Sequence, residues 1–442
     1  MEYGDRLPKL ALFPHTAGVN DKGHLTIGGY DTTALASAYG TPLYIFDETT
    51  LRAKCSEYRR EFGQRYPNTL AIYACKAFTN QALIHLLQEE GFGLDVVSGG
   101  EMHVAKSVGF PQDRVYVHGN NKGQDELKMA LEWGVARIVV DGFHELARLG
   151  RLAGEQGKTQ DILLRLSPNV DPHTHSHVAT GVLDSKFGFP IATGQAEEAL
   201  TQAMSTPGLN LLGLHFHLGS SLFETKPYVE AIGIVLRFAA EMQQKHRFNL
   251  RELNIGGGFA VQYQLDTPAP PVSHYAEAIV SALVDQAHKL KLAQPRLVIE
   301  PGRSVVAQAG TAVYAIGGSK DIPGVRKYVF VDGGMADNIR PAIYGSKYEA
   351  IVANKTGEPE TDVVTIGGKF CEAGDILIRN VRLARLEAGD LIAMPTSGAY
   401  SIPMSSNYNA SLRPAIVMVK AGQARLIRRR ESYEDLVAHD RC

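Results

Sequence analysis

The chain has 442 residues, a formal net charge of −2, and 44% hydrophobic residues, which suits ordinary globular cores and predicts two domains. The near-neutral balance, with no long basic run, excludes the electrostatic footprint of a nucleic-acid binder. No apolar run is long enough to span a bilayer, so no membrane association is expected. The N-terminal stretch MEYGDRLPKLALFPHTAG lacks the apolar core of a signal peptide. The four cysteines (Cys55, Cys75, Cys371, Cys442) are scattered and show no metal-type spacing. These features predict a soluble, reduced, cytoplasmic protein that carries no metal.

Residues 1–47 read as strand-rich, with TPLYIFD expected to cross into the next domain. From 69 to 304 the pattern alternates. Short apolar runs (AIYACK, GLDVVS, RVYVHG, ARIVVD, DILLRL, LLGLHFHLG, ELNIGG, RLVIEP) are each followed by a turn and an amphipathic helical stretch such as QALIHLLQEEG or HELARLGRLAGEQG. Eight such strand–helix units predict a closed parallel (β/α)8 barrel over 48–309. Periodicity alone leaves an open doubly wound sheet as the alternative. Residues 310–442 are again strand-rich and join 1–47 in a β-rich domain built from both termini.

In a barrel of this kind, chemistry sits where strands end and the following loops begin. The strand ends supply Lys76, Asp95 with Ser98, His118, Asp141, Arg165, His217, Gly256–Gly258 and Glu300. Polar strand ends are common, but a lysine, a histidine, a triple glycine and a glutamate on one edge are not explained that way. Lys76 is the most telling, because a lysine is rarely buried without a partner. The glycines in LNIGGGFA let backbone N–H groups approach a ligand. VIEPGRSV adds Glu300, Gly302 and Arg303, the last suited to a phosphate or carboxylate. HLGS adds a flat imidazole, His217, and a hydroxyl, Ser220. A flat, phosphorylated, electron-accepting ligand able to bond a lysine amine would use all of these, and pyridoxal 5'-phosphate has those properties. A barrel metallohydrolase is the rival reading, with His173, His175, His177, His215 and His217 as ligands. It leaves Lys76 and the glycines unexplained.

The motifs YACKA, HGNNKG, SKFGFP, HFHLGSS, NIGGGF, EPGR, DGGMADNIRPAIY, CEAGD and GAYSIPMSSNYN occur in this order. Together they resemble the barrel-type pyridoxal-phosphate decarboxylases, and within them the diaminopimelate-decarboxylase branch. The resemblance runs from YGTPLYIFDETTLR to RPAIVMV. It departs at Ala373, where the family usually has serine, and at Ser221, where it has glutamine.

The resemblance implies that Lys76 is the Schiff-base lysine and that Glu300 faces the pyridine nitrogen. Alanine racemases, which share the barrel, place arginine there, so Glu300 favours decarboxylation. His217 would stack on the ring, and Gly256, Gly257, Gly258, Ser220, Gly302, Arg303 and Tyr400 would hold the phosphate end. Asp95 and Arg165 would stand behind these groups, and His215 would be a packed histidine. Cys371 matches the family's proton donor. Arg303, Arg340, Tyr344 and Tyr400 would receive a distal carboxylate, and Glu372 a distal ammonium. A substrate with both groups at its far end is meso-2,6-diaminopimelate, whose decarboxylation gives L-lysine, the last step of lysine biosynthesis. The alternatives are a related decarboxylase acting on another basic amino acid and a non-catalytic cofactor-binding regulator. The resemblance also implies a homodimer with shared active sites.

Overall fold

In the computed structural model, which describes residues 7–171 and 184–441, eight short strands between residues 69 and 299 follow one another around a ring, and a two-residue strand, Phe189–Pro190, pairs beside one of them. The eight are β1 (Thr69–Ala74), β2 (Gly93–Val96), β3 (Val115–Val117), β4 (Arg137–Val140), β5 (Gln160–Ser167), β6 (Leu209–His215), β7 (Glu252–Asn254) and β8 (Arg296–Ile299). Each pairs in parallel with the next, and β8 pairs with β1 through Leu297 opposite Thr69. The ring is therefore closed, and the open-sheet alternative falls away. His173, His175, His177 and Cys442 lie outside the described residues.

The strands are short and apolar because a parallel barrel buries both of their faces. Leu70, Ile72, Tyr116, Val139, Leu163, Leu212 and Val298 form one buried cluster contributed by strands around the ring. Side chains at i and i+2 share a face of a strand. Two positions beyond Tyr116, Val139, Leu163 and Val298 stand His118, Asp141, Arg165 and Glu300. The apolar layer thus becomes a polar one at the C-terminal ends of the strands.

The helices between strands start where the sequence can cap them. Asn80 Oδ1 accepts the Leu83 amide at 2.8 Å to open Gln81–Glu89, and Ser98 Oγ accepts the Glu101 amide at 3.2 Å to open Gly99–Ser107. Ser98 is thereby accounted for as a cap.

The chain divides into two compact units. One comprises the described residues within 55–260 and 269–302, the other those within 1–54, 261–268 and 303–442. In the second unit the long strand Gly310–Ile322 pairs antiparallel with Leu43–Asp47, Arg326–Val331 and Leu391–Met394. Leu43–Asp47 in turn pairs in parallel with Ala415–Lys420. All five of its residues are buried, so the run TPLYIFD does not cross between units as its sequence suggested. It is an interior strand, and the chain changes unit within the helix Glu48–Arg65. A core of Phe13, Leu25, Ile27, Leu43, Ile45, Val313, Val417 and Val419 ties the N-terminal and C-terminal segments together. Among the described residues no helix is long and apolar enough to cross a membrane.

Candidate active site

The polar ends of the barrel strands line one cavity of about 390 Å³, bounded by Lys76, Asp95, His118, Arg165, Phe187, His215, His217 and Glu300 among others. Lys76 sits in the single 3-10 turn Cys75–Ala77 that follows β1. Its side chain is 42% exposed, and its ammonium lies 3.9 Å from Asp95. The lysine is therefore not buried, as its apolar sequence context implied. The strand ends at Ala74, and the turn lifts Lys76 into the open mouth of the cavity.

Glu300 is held from several sides. Its Oε1 accepts the Asn254 side-chain amide at 2.7 Å, with His118 Nε2 at 3.0 Å and His215 Nε2 at 3.6 Å. Burial works against its charge, but His118 and His215 outweigh that and hold its carboxyl well below the usual range. Asp95 is pushed the other way, by burial and by Glu300. Burial also depresses the imidazole of His215, to about 3, and keeps His217 neutral with help from Lys76 and Arg165. His118 and His215 pack edge to face at 4.9 Å, which accounts for His215 as a packed residue, although neither of its ring nitrogens makes a hydrogen bond among the described residues.

The triple glycine is explained by close packing. A Cβ on Gly257 would lie 2.2 Å from the Glu300 carbonyl, and one on Gly256 would lie 2.7 Å from His217 Nδ1. Gly256 and Gly258 also take positive φ values of 72° and 110°. The Gly257 amide donates to His217 Nδ1 at 3.2 Å, which fixes that nitrogen as an acceptor, and the Gly256 amide donates to Asn254 Oδ1 at 3.0 Å. Asn254 therefore couples the glycine turn to Glu300. In the cavity wall, Arg165 lies 3.5 Å from Asp141 and stacks on the Phe187 ring at 4.2 Å.

A second group gathers in the other unit. Arg303 and Arg340 each donate to the hydroxyl of Tyr263, at 3.0 and 3.1 Å, and Arg340 also donates to Tyr348. Arg303 stacks on the Tyr400 ring at 4.7 Å. Tyr400 is held at φ 61°, a strained setting for a bulky residue and one that accompanies functional constraint. Tyr344 ends the short helix Arg340–Tyr344 and is half-buried. Cys371 and Glu372 lie on an exposed loop. That loop is shaped by Asp375, which accepts the amides of Phe370 at 2.9 Å and Met335 at 2.7 Å. The Cys371 amide donates to Asn409 at 2.9 Å.

Residues 48–307 match the family model described as the pyridoxal-binding domain of pyridoxal-dependent decarboxylases. The chain belongs to that family. A diaminopimelate decarboxylase of Bacillus subtilis is 45% identical over 430 residues, covering 97% of this chain and 98% of the relative. One of Synechocystis is 41% identical and covers 98% and 93%. The solved structure of diaminopimelate decarboxylase from M. jannaschii in complex with L-lysine superposes with a TM-score of 0.92 at 35% identity, covering 97% and 98%.

The residues of this pyridoxal-dependent decarboxylase fit its cofactor. The cavity offers an amine, an ionised buried carboxylate and a neutral imidazole, which suit an aldehyde, a protonated pyridine nitrogen and a flat ring. His118, His215 and Glu300 also bring ligand atoms within 4.8 Å of one another, a spacing a metal could use. Glu300 Oε1, the oxygen shared by both imidazoles, already accepts the Asn254 amide.

Four groups in these clusters were not singled out in the sequence. Asn254 stands inside the NIGGGF motif, where the glycines drew attention away from it. Tyr263 and Tyr348 follow no strand end, and nothing local marks them. Glu101 lies in the first turn of the helix Gly99–Ser107, where an acidic residue is ordinary. Its carboxylate accepts the Val97 amide at 2.8 Å, and burial together with Asp95 pushes its pKa up to about 7.

Proposed function

We propose that this chain decarboxylates meso-2,6-diaminopimelate to L-lysine and carbon dioxide, with pyridoxal phosphate as cofactor. The observation that carries this reading is the lysine-bearing cavity with an ionised carboxylate in one unit, and the same chain carries a two-arginine cluster in the other. The first suits decarboxylation of an amino acid, and the second suits a further carboxylate on that substrate. The names of the relatives and the L-lysine complex support the same substrate.

When bound, pyridoxal phosphate supplies an aldehyde for amines and a ring that accepts the electron pair released as carbon dioxide departs. Lys76 would hold the cofactor through its amine. Glu300, kept ionised by His118 and Asn254, would hold a proton on the pyridine nitrogen. His217, neutral and fixed by the Gly257 amide, would offer its flat imidazole to the ring. The turn Gly256–Gly258, with Ser220, Gly302, Arg303 and Tyr400, binds the phosphate end. Arg303 and Arg340, with Tyr344 and Tyr400, bind the distal carboxylate, and Glu372 binds the distal ammonium. Cys371 returns a proton to the carbon that lost carbon dioxide. The protein works as a cytoplasmic homodimer in which Cys371 serves the partner's site, and the barrel spans 48–309.

The test is release of carbon dioxide across the diaminopimelate isomers, lysine, ornithine and arginine. Turnover confined to the meso isomer is expected. A comparable kcat/KM for lysine or ornithine would overturn the substrate assignment.

A further inference from the structure

Arg340 is 6% exposed, yet no carboxylate pairs with it among the described residues. A buried guanidinium without a counter-charge is expensive to keep. What it has instead is aromatic. Its guanidinium carbon lies 5.0 Å from the Tyr263 ring and 5.6 Å from the Tyr348 ring, and those rings meet edge to face at 5.4 Å. Its hydrogen bonds go to the same two hydroxyls.

Tyr263 does more than pack. Its single hydroxyl oxygen accepts from Arg340 at 3.1 Å and from Arg303 at 3.0 Å. Two guanidiniums repel each other, and one acceptor between them offsets that repulsion at a fixed spacing. We infer that Tyr263 is a positioning residue whose hydroxyl oxygen locks Arg303 and Arg340 into one two-armed clamp for the distal carboxylate of the substrate. Burial opposes ionisation of this phenol, but Arg340 and Arg303 outweigh it and draw its pKa below the usual value. Phosphate and carboxylate both suit arginine, and two arginines held at a fixed spacing by one phenol oxygen suit a carboxylate that accepts a hydrogen bond on each of its oxygens.

This inference rests on the proposed substrate, and the experiment separates the two. Tyr263→Phe removes the hydroxyl and keeps the ring. It is compared with Arg340→Met in the holoenzyme, using two inhibitors: L-lysine, which retains the distal carboxylate, and 1,5-diaminopentane, which lacks it. Tyr263→Phe is expected to weaken L-lysine inhibition by about tenfold or more, leave diaminopentane inhibition unchanged, and preserve the cofactor absorbance. KM for meso-diaminopimelate should rise by a similar factor with little change in kcat. Equal weakening of both inhibitors, or loss of the cofactor band, would make Tyr263 a structural residue and overturn the inference. No change in Tyr263→Phe while Arg340→Met weakens L-lysine alone would overturn the role of Tyr263 and leave the substrate reading standing. No change in either variant would overturn both.

Discussion

The side-chain amide of Asn254 donates a 2.7 Å hydrogen bond to Glu300, while its carbonyl accepts the amide of Gly256 at 3.0 Å. One residue thus ties the orientation of the carboxylate to the glycine turn. A carboxylate so held cannot swing away as charge develops near it, which is the advantage of a preorganised site. Glu300→Gln keeps the shape and removes the charge. Its kcat is expected to fall by roughly 100-fold or more, with a much smaller change in cofactor affinity, because the interaction strengthens in the transition state. Asn254→Ala should lower kcat in the same sense but by less, since the carboxylate remains ionised beside His118 and His215. Steady-state kinetics with cofactor titration measures both quantities. Parallel losses of turnover and cofactor binding would make Glu300 an anchor only.

Lys76 lines the cavity with its side chain 42% exposed, so its amine is open to an aldehyde that enters there. Purified protein should therefore be yellow. Borohydride reduction should fix the cofactor to Lys76, identified by peptide mass spectrometry. Lys76→Ala should lose the visible band of the covalently held cofactor and nearly all turnover. A reduced adduct on any other lysine would remove Lys76 from the role.

The barrel was legible because its signal repeats. Eight apolar runs, each followed by a helix, leave few closed arrangements, and the polar residue two positions past each apolar one marks the strand end. Lys76, His118, Arg165 and Glu300 were found this way. What escaped was carried by contacts distant in sequence. Tyr263 belongs with Arg340, 77 residues on, through a hydrogen bond that no spacing encodes. The strand Leu43–Asp47 has the same apolar character as a barrel strand, and only its pairing with Gly310–Ile322 and Ala415–Lys420 assigns it to the other sheet. Ser98 shows the opposite error, since a hydroxyl at a strand end can be an ordinary helix cap.

Glu101 gives a pH-dependent prediction. Its carboxyl is raised to about 7 in the folded protein, by burial and then by Asp95, from an ordinary value of 4.5. The folded state therefore holds this proton more tightly than the unfolded state. The stabilisation is complete below about pH 4.5 and is lost as pH rises through about 7. Glu101→Gln mimics the protonated form at every pH. The variant and the wild type, both stripped of cofactor, should be similarly stable at pH 4.5. The variant should gain on the wild type up to about pH 7 and then hold a constant advantage, at most about 3 kcal/mol. Chemical denaturation across this range checks it. A difference independent of pH would mean that folding does not raise the Glu101 carboxyl.

The last prediction concerns where Cys371 acts. Cys371 is exposed on its own chain, on a loop shaped by Asp375. A donor that serves a site on another chain must be exposed on its own. A two-fold dimer builds two equivalent sites, so a shared site takes Lys76 from one chain and Cys371 from the other. Lys76→Ala and Cys371→Ala should each be nearly inactive as homodimers. In a mixed dimer both lesions fall in one site, and the second site is intact. Random pairing makes about half the dimers mixed, and each mixed dimer has one working site of two, so about a quarter of wild-type activity should return. Co-expression, or dissociation and reassembly, provides the exchange, and native mass spectrometry counts the mixed species. If each site instead drew both residues from one chain, every chain in the mixture would carry a lesion in its own site. Mixed dimers would then form without recovering activity, and Cys371 would be assigned to its own chain.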